Sequence, residues 1–465
     1  MWRAWLLFLL WLMLLPVRAD TLSLPAGDEP VQPGPHMEYL ADPLARLTAG
    51  EARRASGWRP IEGDSPSFGY RNGAYWLRLS LKNPGALHSQ RLMEVAYPVL
   101  DWLDIWITGP EGAIHHALGD KHPFYERPVF HRHFVVPLSL PPHSTTDLLL
   151  RVSTSSSVQV PVTIWTPAAF QEHDQHSNLI LGLYFGIMIS MLLYNAFLWA
   201  SLREKTYGYY VGYVTGLVIF QAALNGIAFQ YLWPDATHWN DQVIVLSLGM
   251  GLFFGALFTR EFLHIDATSG PVFCLSIRLF LIAVGGAGLS GLFLPYRPAI
   301  QLAELAAIIA LPAIIYFSTS RAWQGYSPAR FYVAAWLFLL LGGLVLALDK
   351  YGLIRHSPLV SAAVPIGSSL EILLLSFALA DRIQQERRLR EDAQADMLRI
   401  QQETNAILEN RVHARTQELL EANQRLQALS ITDPLTGAFN RRHSMMCCNR
   451  RSSARCAAAT PSACW

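Results

Sequence analysis

The chain has 465 residues, of which 52% are hydrophobic and 15% charged. The length suits about three domains, and a mean hydropathy of +0.23 lies on the membrane side of soluble domains. A formal net charge of +1 argues against a nucleic-acid partner for the chain as a whole.

At the N-terminus, Arg3 precedes an apolar run from Ala4 to Leu15, and Pro16-Val17-Arg18-Ala19 follows. A basic start, a short apolar core and small residues before the cut predict a secretory signal over residues 1–19. The competing reading, an uncleaved anchor helix, is disfavoured because the run is short for a bilayer core. None of the five cysteines lies between Asp20 and His176, which excludes a disulfide framework in the following segment.

Residues 20–176 read as short strands separated by turn clusters. Tyr75–Leu81 alternates apolar and polar residues and ends at Asn83-Pro84-Gly85. Leu103–Ile107 repeats the pattern before Gly109-Pro110-Glu111-Gly112, and Phe134–Leu138, Asp147–Val152 and Val158–Trp165 continue it. Such spacing predicts an antiparallel sandwich or jelly roll. Trp102, Trp106, Phe124 and Tyr125 have the ring faces to stack on a sugar, and Arg78, Arg127, His131 and His133 the charge to hold an anion. Sandwich core for the aromatics and a solvated face for the cations are the competing readings.

Several of these words, Tyr75-Trp76-Leu77-Arg78, Tyr97-Pro98 with Asp101, Gly119-Asp120, Pro123-Phe124, Glu126-Arg127-Pro128 and Leu150-Arg151-Val152, resemble the extracellular sensor domain of bacterial 7TMR-DISM receptors. That resemblance implies a periplasmic domain likened to carbohydrate-binding jelly rolls. It also implies capture of a small ligand, with carbohydrate the class suggested. From their own chemistry, Trp102, Trp106, Tyr125 and Arg127 are the ligand-binding candidates.

Seven apolar stretches follow over residues 177–381: Leu179–Leu198, Tyr209–Phe229, Val243–Thr259, Leu279–Tyr296, Ala299–Thr319, Phe331–Leu348 and Leu359–Ala380. Most have the roughly 20 residues that a spanning helix needs. With the start of the first helix outside, the inner loops hold Arg203, Lys205, Arg260, Arg278, Arg321 and Arg330, then Arg382, Arg387, Arg388 and Arg390. The outer loops hold only Arg297, Lys350 and Arg355. The positive-inside rule thus agrees with the signal segment and predicts a multi-pass inner-membrane protein with a cytoplasmic C-terminus. Sparse intramembrane charge and no repeated pair of broken helices argue against a transporter.

Leu193–Leu198, Asn225–Leu232 and, most specifically, Ile366–Arg382 also resemble the seven-helix part of the 7TMR-DISM family. Within the last run, Glu371 lies about 15 Å inside the cytoplasmic end. A carboxylate at that depth faces a bundle interior and a partner, which makes Glu371 a candidate signalling residue, with a structural anchor as the competing reading. Asn195 in the first helix is a second candidate. Glu304, near the outer end of the fifth stretch, is expected at the interface.

Composition changes at Asp381. The stretch 382–430 is dense in Arg, Glu and Gln and has neither Pro nor Gly. Ala393, Met397, Ile400, Thr404 and Ile407 recur at spacings of four and three. Val412, Thr416, Leu419, Asn423, Leu426 and Ser430 do so again, shifted by one residue. This predicts a coiled coil with a change of phase and a homodimer whose register Asn423 sets; a plain spacer helix is the alternative.

Next, residues 431–446 contain Asp433-Pro434-Leu435-Thr436-Gly437 and Asn440-Arg441-Arg442. Pro434 and Gly437 mark a turn and Asp433 can cap it. The motif resembles the entrance of GGDEF domains, which join two GTP molecules into cyclic di-GMP. The resemblance implies Mg and GTP as cofactors of an intact domain, held through carboxylates on a first strand and on the Gly-Gly-Asp/Glu-Glu-Phe hairpin. Only 23 residues follow Arg442, against about 150 for a typical domain. Residues 447–465 are rich in Ala, Arg, Ser and Cys, without apolar periodicity or zinc-ligand spacing, and are expected to be aberrant or disordered.

The expected architecture is therefore a multidomain membrane protein. It has an all-β jelly-roll-like periplasmic domain, a seven-transmembrane α-helical domain, a cytoplasmic coiled-coil helix and a vestigial start of an α/β GGDEF domain. The expected function is a receptor relaying a periplasmic ligand to a cyclic di-GMP output, with no catalytic, cofactor or metal residues of its own and no nucleic-acid partner. An active diguanylate cyclase, if the C-terminus reflects a frameshift, and an output-less receptor or decoy are the alternatives.

Overall fold

The computed structural model describes residues 21–263, 271–325, 328–351, 353–354 and 357–457. The expected signal segment 1–19, Arg355 and residues 458–465 of the tail lie outside them. The chain falls into two compact units divided between Arg382 and Ile383.

The first unit begins with twelve strands among the described residues: β1 (Leu22–Ser23), β2 (Glu38–Asp42), β3 (Arg59–Pro60), β4 (Ser67–Gly69), β5 (Ala74–Lys82), β6 (Ser89–Val95), β7 (Trp102–Gly109), β8 (Gly112–Leu118), β9 (Phe134–Leu140), β10 (Thr145–Ser153), β11 (Val158–Gln159) and β12 (Val162–Trp165). The larger sheet runs β3-β2-β5-β10-β7-β8, with β1 added parallel to β5; a smaller sheet runs β12-β6-β9, and β11 pairs with β4. Alternation decides what each strand buries. Leu77, Leu79 and Leu81 of β5, Leu103 and Ile105 of β7 and Leu148 and Leu150 of β10 point inward from the large sheet. They share one core with Met93, Val136, Leu138 and Ile164 of the small sheet. The other face of the large sheet is covered by α1 (Ala49–Arg54), which Thr48 caps through the Glu51 amide and whose Ala52 packs with Trp76 and Leu149.

One expected strand is corrected. The run 158–165 divides into β11 and β12, because Pro161 has no amide to donate. Val160 N donates to Pro66 O and the Pro161 carbonyl accepts from Ala96 N, so the chain changes sheets there.

The helices are α2 (Pro167–Leu202), α3 (Lys205–Leu224), α4 (Ile227–Tyr231), α5 (Thr237–Phe262), α6 (Pro271–Leu289), α7 (Tyr296–Trp323), α8 (Pro328–Lys350), α9 (Pro358–Ile431) and α10 (Arg441–Ala457). Each of the seven apolar stretches falls on a helix, and α2, α5, α7, α8 and α9 are long and apolar enough to cross a membrane. Three boundaries move. The first helix starts at Pro167, capped by Thr166, so residues 167–176 are helical rather than part of the β domain. The second stretch ends at Leu224, not Phe229, and Tyr296 opens α7 instead of closing the helix before it. Small residues set the closest crossings: a Cβ on Gly249 would stand 2.1 Å from Gly288 Cα, and one on Gly342 2.6 Å from Ala363 O.

In the second unit, every seam residue from Ala393 to Leu426 is exposed. The entrance motif folds as its chemistry predicts. Asp433 Oδ1 accepts from the amides of Leu435 and Thr436, Gly437 takes φ +68°, and Asn440 caps α10 through the His443 amide. The tail expected to lack order is helical through Ala457. Its Cys447 and Cys448 are exposed free thiols.

Candidate functional site at the seam of the two domains

No flexible linker separates the β domain from the helices: one residue, Thr166, lies between β12 and α2. The hydrophobic core of the sandwich also continues through Phe220, Ala223, Ala228, Ile244 and Ile300 of the bundle. The seam is therefore packed like a domain interior.

Polar contacts pin it at several points. Arg297 of α7 donates to the carbonyls of Arg71, Thr154 and Ser155, and to Asn72. Gln159 reaches the Asp349 carbonyl at 2.9 Å, and Arg132 reaches Ser177 and Asn178 of α2. Arg127 donates to the carbonyls of His131 and Arg132, with its guanidinium 4.3 Å from the Phe124 ring centroid and 4.4 Å from that of Phe134. Burial pulls its pKa down to about 9. Half-buried in this way, Arg127 ties the segment from Phe124 to Phe134 together within the β domain and reaches the helices only at Phe229, 5.7 Å from its guanidinium.

Two buried clusters bring three metal-competent side chains within 4.8 Å of one another. In the first, Glu94 accepts from His133 Nδ1 at 2.7 Å and from Trp165 Nε1 at 2.8 Å, while His131 Nε2 meets Asp174 of α2 at 3.0 Å. Burial pushes the Glu94 carboxyl up, but the His133 hydrogen bond leads the contacts that outweigh it and hold it low. Burial also pulls His133 down to about 4, against its bond to Glu94. An ionised Glu94 beside a neutral imidazole is a closed network that links β6 and the loop before β9 to α2. The second cluster joins Asp101, Asp120 and Asp241 around Lys121, whose ammonium is 2.6 Å from Asp241 and 3.3 Å from Asp120. Asn240 donates to Asp120, and Thr154 and the Ser155 amide donate to Asp101. Burial pushes Asp120 up to about 8, with Lys121 opposing and the neighbouring carboxylates adding to the shift.

Beneath the seam lies a cavity of about 490 Å³, roofed by Tyr70, Tyr97 and Ser156 of the β domain and walled by α3, α5, α7, α8 and Val364 of α9. Glu304 stands on its wall, accepting from Tyr70 Oη at 2.9 Å and Tyr351 Oη at 3.3 Å. The sequence places Glu304 merely at the interface; its partner is 234 residues away in the chain, and no local pattern marks that pairing. Tyr213 and Trp336 also line the cavity. Behind them is Glu371, fully buried, with the Tyr213 hydroxyl as a neighbouring donor that does not close to hydrogen-bond geometry. The hydroxyls of Tyr184, Tyr210, Tyr213 and Tyr332 share its electrostatic neighbourhood.

The other sequence candidates are dispersed. Trp106 stacks between Trp76 and His115 on the outer face of the large sheet, and Trp102 is 45% exposed, edge-on to His122. Tyr125 is exposed and stacks on Phe130. Arg78 pairs with Glu38 and lies over Trp58. Asn195 donates to the Met191 carbonyl of its own helix, and Asn423 is exposed on α9. Neither Trp102, Trp106, Tyr125 nor Arg127 lines the cavity.

The family model described as 7TMR-DISM extracellular 2 matches residues 34–166, and that described as 7TM diverse intracellular signalling matches residues 177–382. Both 7TMR-DISM domains are present in this chain. Their junction, residues 167–176, is the extended first turns of α2. No curated protein matches the chain. The two matches support a multi-pass membrane protein of the signalling-receptor type, with an extracellular-type sensor domain, similar to 7TMR-DISM receptors. Neither matched model reaches the entrance motif at Asp433.

Proposed function

We propose that this chain is an inner-membrane receptor that senses a small ligand on its periplasmic side and passes the signal through a dimeric coiled coil to a GGDEF output that makes cyclic di-GMP. All seven long helices span the bilayer in this reading, with the β domain outside and α9 entering the cytoplasm, as the Lys and Arg distribution supports. The observation that carries it is the position of Glu371. It sits on α9 behind the cavity residue Tyr213, and the same helix runs from Pro358 to Ile431, ending at the entrance motif. A change at the cavity wall thus meets a buried, loosely held carboxylate on the helix that bears the coiled-coil seam. Carbohydrate capture on the outer sheet face, by Trp102 and Trp106, remains the alternative sensing mode, supported by the exposed ring of Trp102; the Trp106 ring is already stacked between Trp76 and His115.

The partner for the exposed seam is a second copy of the chain, because Met397, Ile400, Ile407, Val412, Leu419 and Leu426 lie 56–71% exposed at three-four spacing and bury only against a like helix. Single cysteines placed from Leu419 to Leu429, in a background lacking the native cysteines, test this in membranes. Disulfide dimers at seam positions and none between them are expected; absence of dimers at every position sinks the relay.

A further inference from the structure

We propose that the cavity beneath the seam binds a single-chain amphiphile with a cationic, hydrogen-bond-donating head group, taken up from the bilayer between α7 and α8. The volume of about 490 Å³ lies within the range of small-molecule sites, about 300–1,000 Å³. Its described lining is apolar but for tyrosine and serine hydroxyls, one indole and a single charged side chain, Glu304. One acidic group at the polar end of an apolar chamber selects a positive head and an apolar tail.

Access is lateral. Ile308 of α7 and Leu344 of α8 line the cavity and are also 56% and 52% exposed on the helix surface that faces lipid in the proposed topology. From above, Tyr70 and Tyr97 close the chamber toward the β domain. A ligand already partitioned into the membrane can therefore enter where a sugar in bulk water cannot.

A second observation is independent of shape. Tyr213 is 4% and Trp336 is 2% exposed, and both line the cavity. The Tyr213 hydroxyl neighbours Glu371 and the Trp336 indole neighbours Tyr332, but neither donor closes to hydrogen-bond geometry. Buried polar groups are almost always satisfied, so two donors held this loosely on one apolar wall are free to turn to a guest. Tyr213 also neighbours Glu371, so occupancy bears directly on the helix assigned to the relay. The consequence for signalling rests on the receptor reading, whereas binding does not.

The test uses the full chain in phosphatidylcholine nanodiscs, with dodecylamine and dodecanoic acid as probes and thermal unfolding as the readout. Saturable stabilisation by dodecylamine, and none by dodecanoic acid, is expected. Glu304→Gln keeps the side-chain shape and weakens dodecylamine at least tenfold. Gly343→Leu fills the chamber from α8, where an added Cβ meets nothing within 4 Å, and abolishes the response; Ile308→Trp, at the mouth, does the same should Gly343→Leu fold poorly. Equal stabilisation by the acid, or a response that survives all three variants, reports bulk partitioning and overturns the site. Cysteine cross-linking between Leu419 and Leu429 is read in the same samples. Binding without any change in cross-linking removes the relay and leaves the site; cross-linked dimers without amine binding remove the site and leave the relay.

Discussion

A Cβ on Gly226 would stand 2.8 Å from the Cβ of Pro98, and Gly226 takes φ +76°. The two residues are 128 positions apart, one in the loop after β6 and the other at the break between α3 and α4. Only glycine meets both demands, left-handed backbone and close approach to Pro98 and to the Arg132 carbonyl 3.1 Å away. The break turns α4 against the β domain, where Phe229 meets Phe124.

Gly226→Val therefore costs at least about 2 kcal/mol, since strain at a positive φ adds to a steric clash. Thermal unfolding of the detergent-solubilised chain measures it. Gly286→Ala, in α6 with open space around the new methyl, is the control. Helix propensity predicts no loss and a gain of up to about 1 kcal/mol. Equal effects of the two substitutions would show that the Gly226–Pro98 contact does not fix the seam.

The Asp120 cluster predicts a pH dependence. Its folded pKa is about 8 against an ordinary 3.8, so the folded state holds a proton that the unfolded state has released between those values. That contribution is fully present below about pH 4 and is lost as pH rises through 8. His133 acts oppositely, because its folded pKa of about 4 lies below 6.5; its contribution is present above 6.5 and lost as pH falls toward 4. Asp120→Asn removes one carboxyl from the pair that it forms with Asp241 across Lys121. The variant's Tm relative to the parent chain rises from pH 5 and levels off above about pH 8, and a difference independent of pH would refute a proton held by the pair.

The contrast between Glu371 and Glu304 shows where sequence reading succeeds. Glu371 stands out because a carboxylate amid Ser368–Leu379 breaks an apolar run, and burial follows from depth alone. The strands β5, β7, β9 and β10 are legible for a similar reason, since alternation commits one face to the core. β8 escapes notice because it is an edge strand whose residues 112–115 are all exposed, leaving no apolar period. Glu304–Tyr70, Lys121–Asp241 and Gln159–Asp349 are tertiary pairings between domains, and one sequence has no local signal for them. The cavity is hidden for the same reason, as its walls come from five helices and four positions outside them. The helix over Arg441–Ala457 forms despite a composition that suggested none, and its Asn440 cap supplies the start signal that was present in the motif.

Glu371→Leu separates stability from signalling. Removing two buried oxygens without formed hydrogen bonds stabilises the bundle by about 1–3 kcal/mol if the site repacks. The same change deletes the group through which the cavity wall meets α9. A raised Tm with amine binding intact, but with no ligand-dependent change in cross-linking at Leu419–Leu429, is the expected outcome. Loss of stability without loss of the cross-linking response would make Glu371 a structural anchor instead.

Finally, the proposed output predicts that an intact GGDEF domain joined in frame after Arg442 reads the state of the seam. Cyclic di-GMP synthesis needs carboxylates to hold divalent metal against the triphosphate, whereas the Asp433 carboxylate caps its own turn through Leu435 and Thr436. Mg-dependent cyclic di-GMP production by that fusion, abolished by charge substitutions at the seam such as Leu419→Asp and Leu426→Asp, is predicted because two active domains must be held together by the paired coil. Activity unaffected by both substitutions would mean that the output does not depend on the seam.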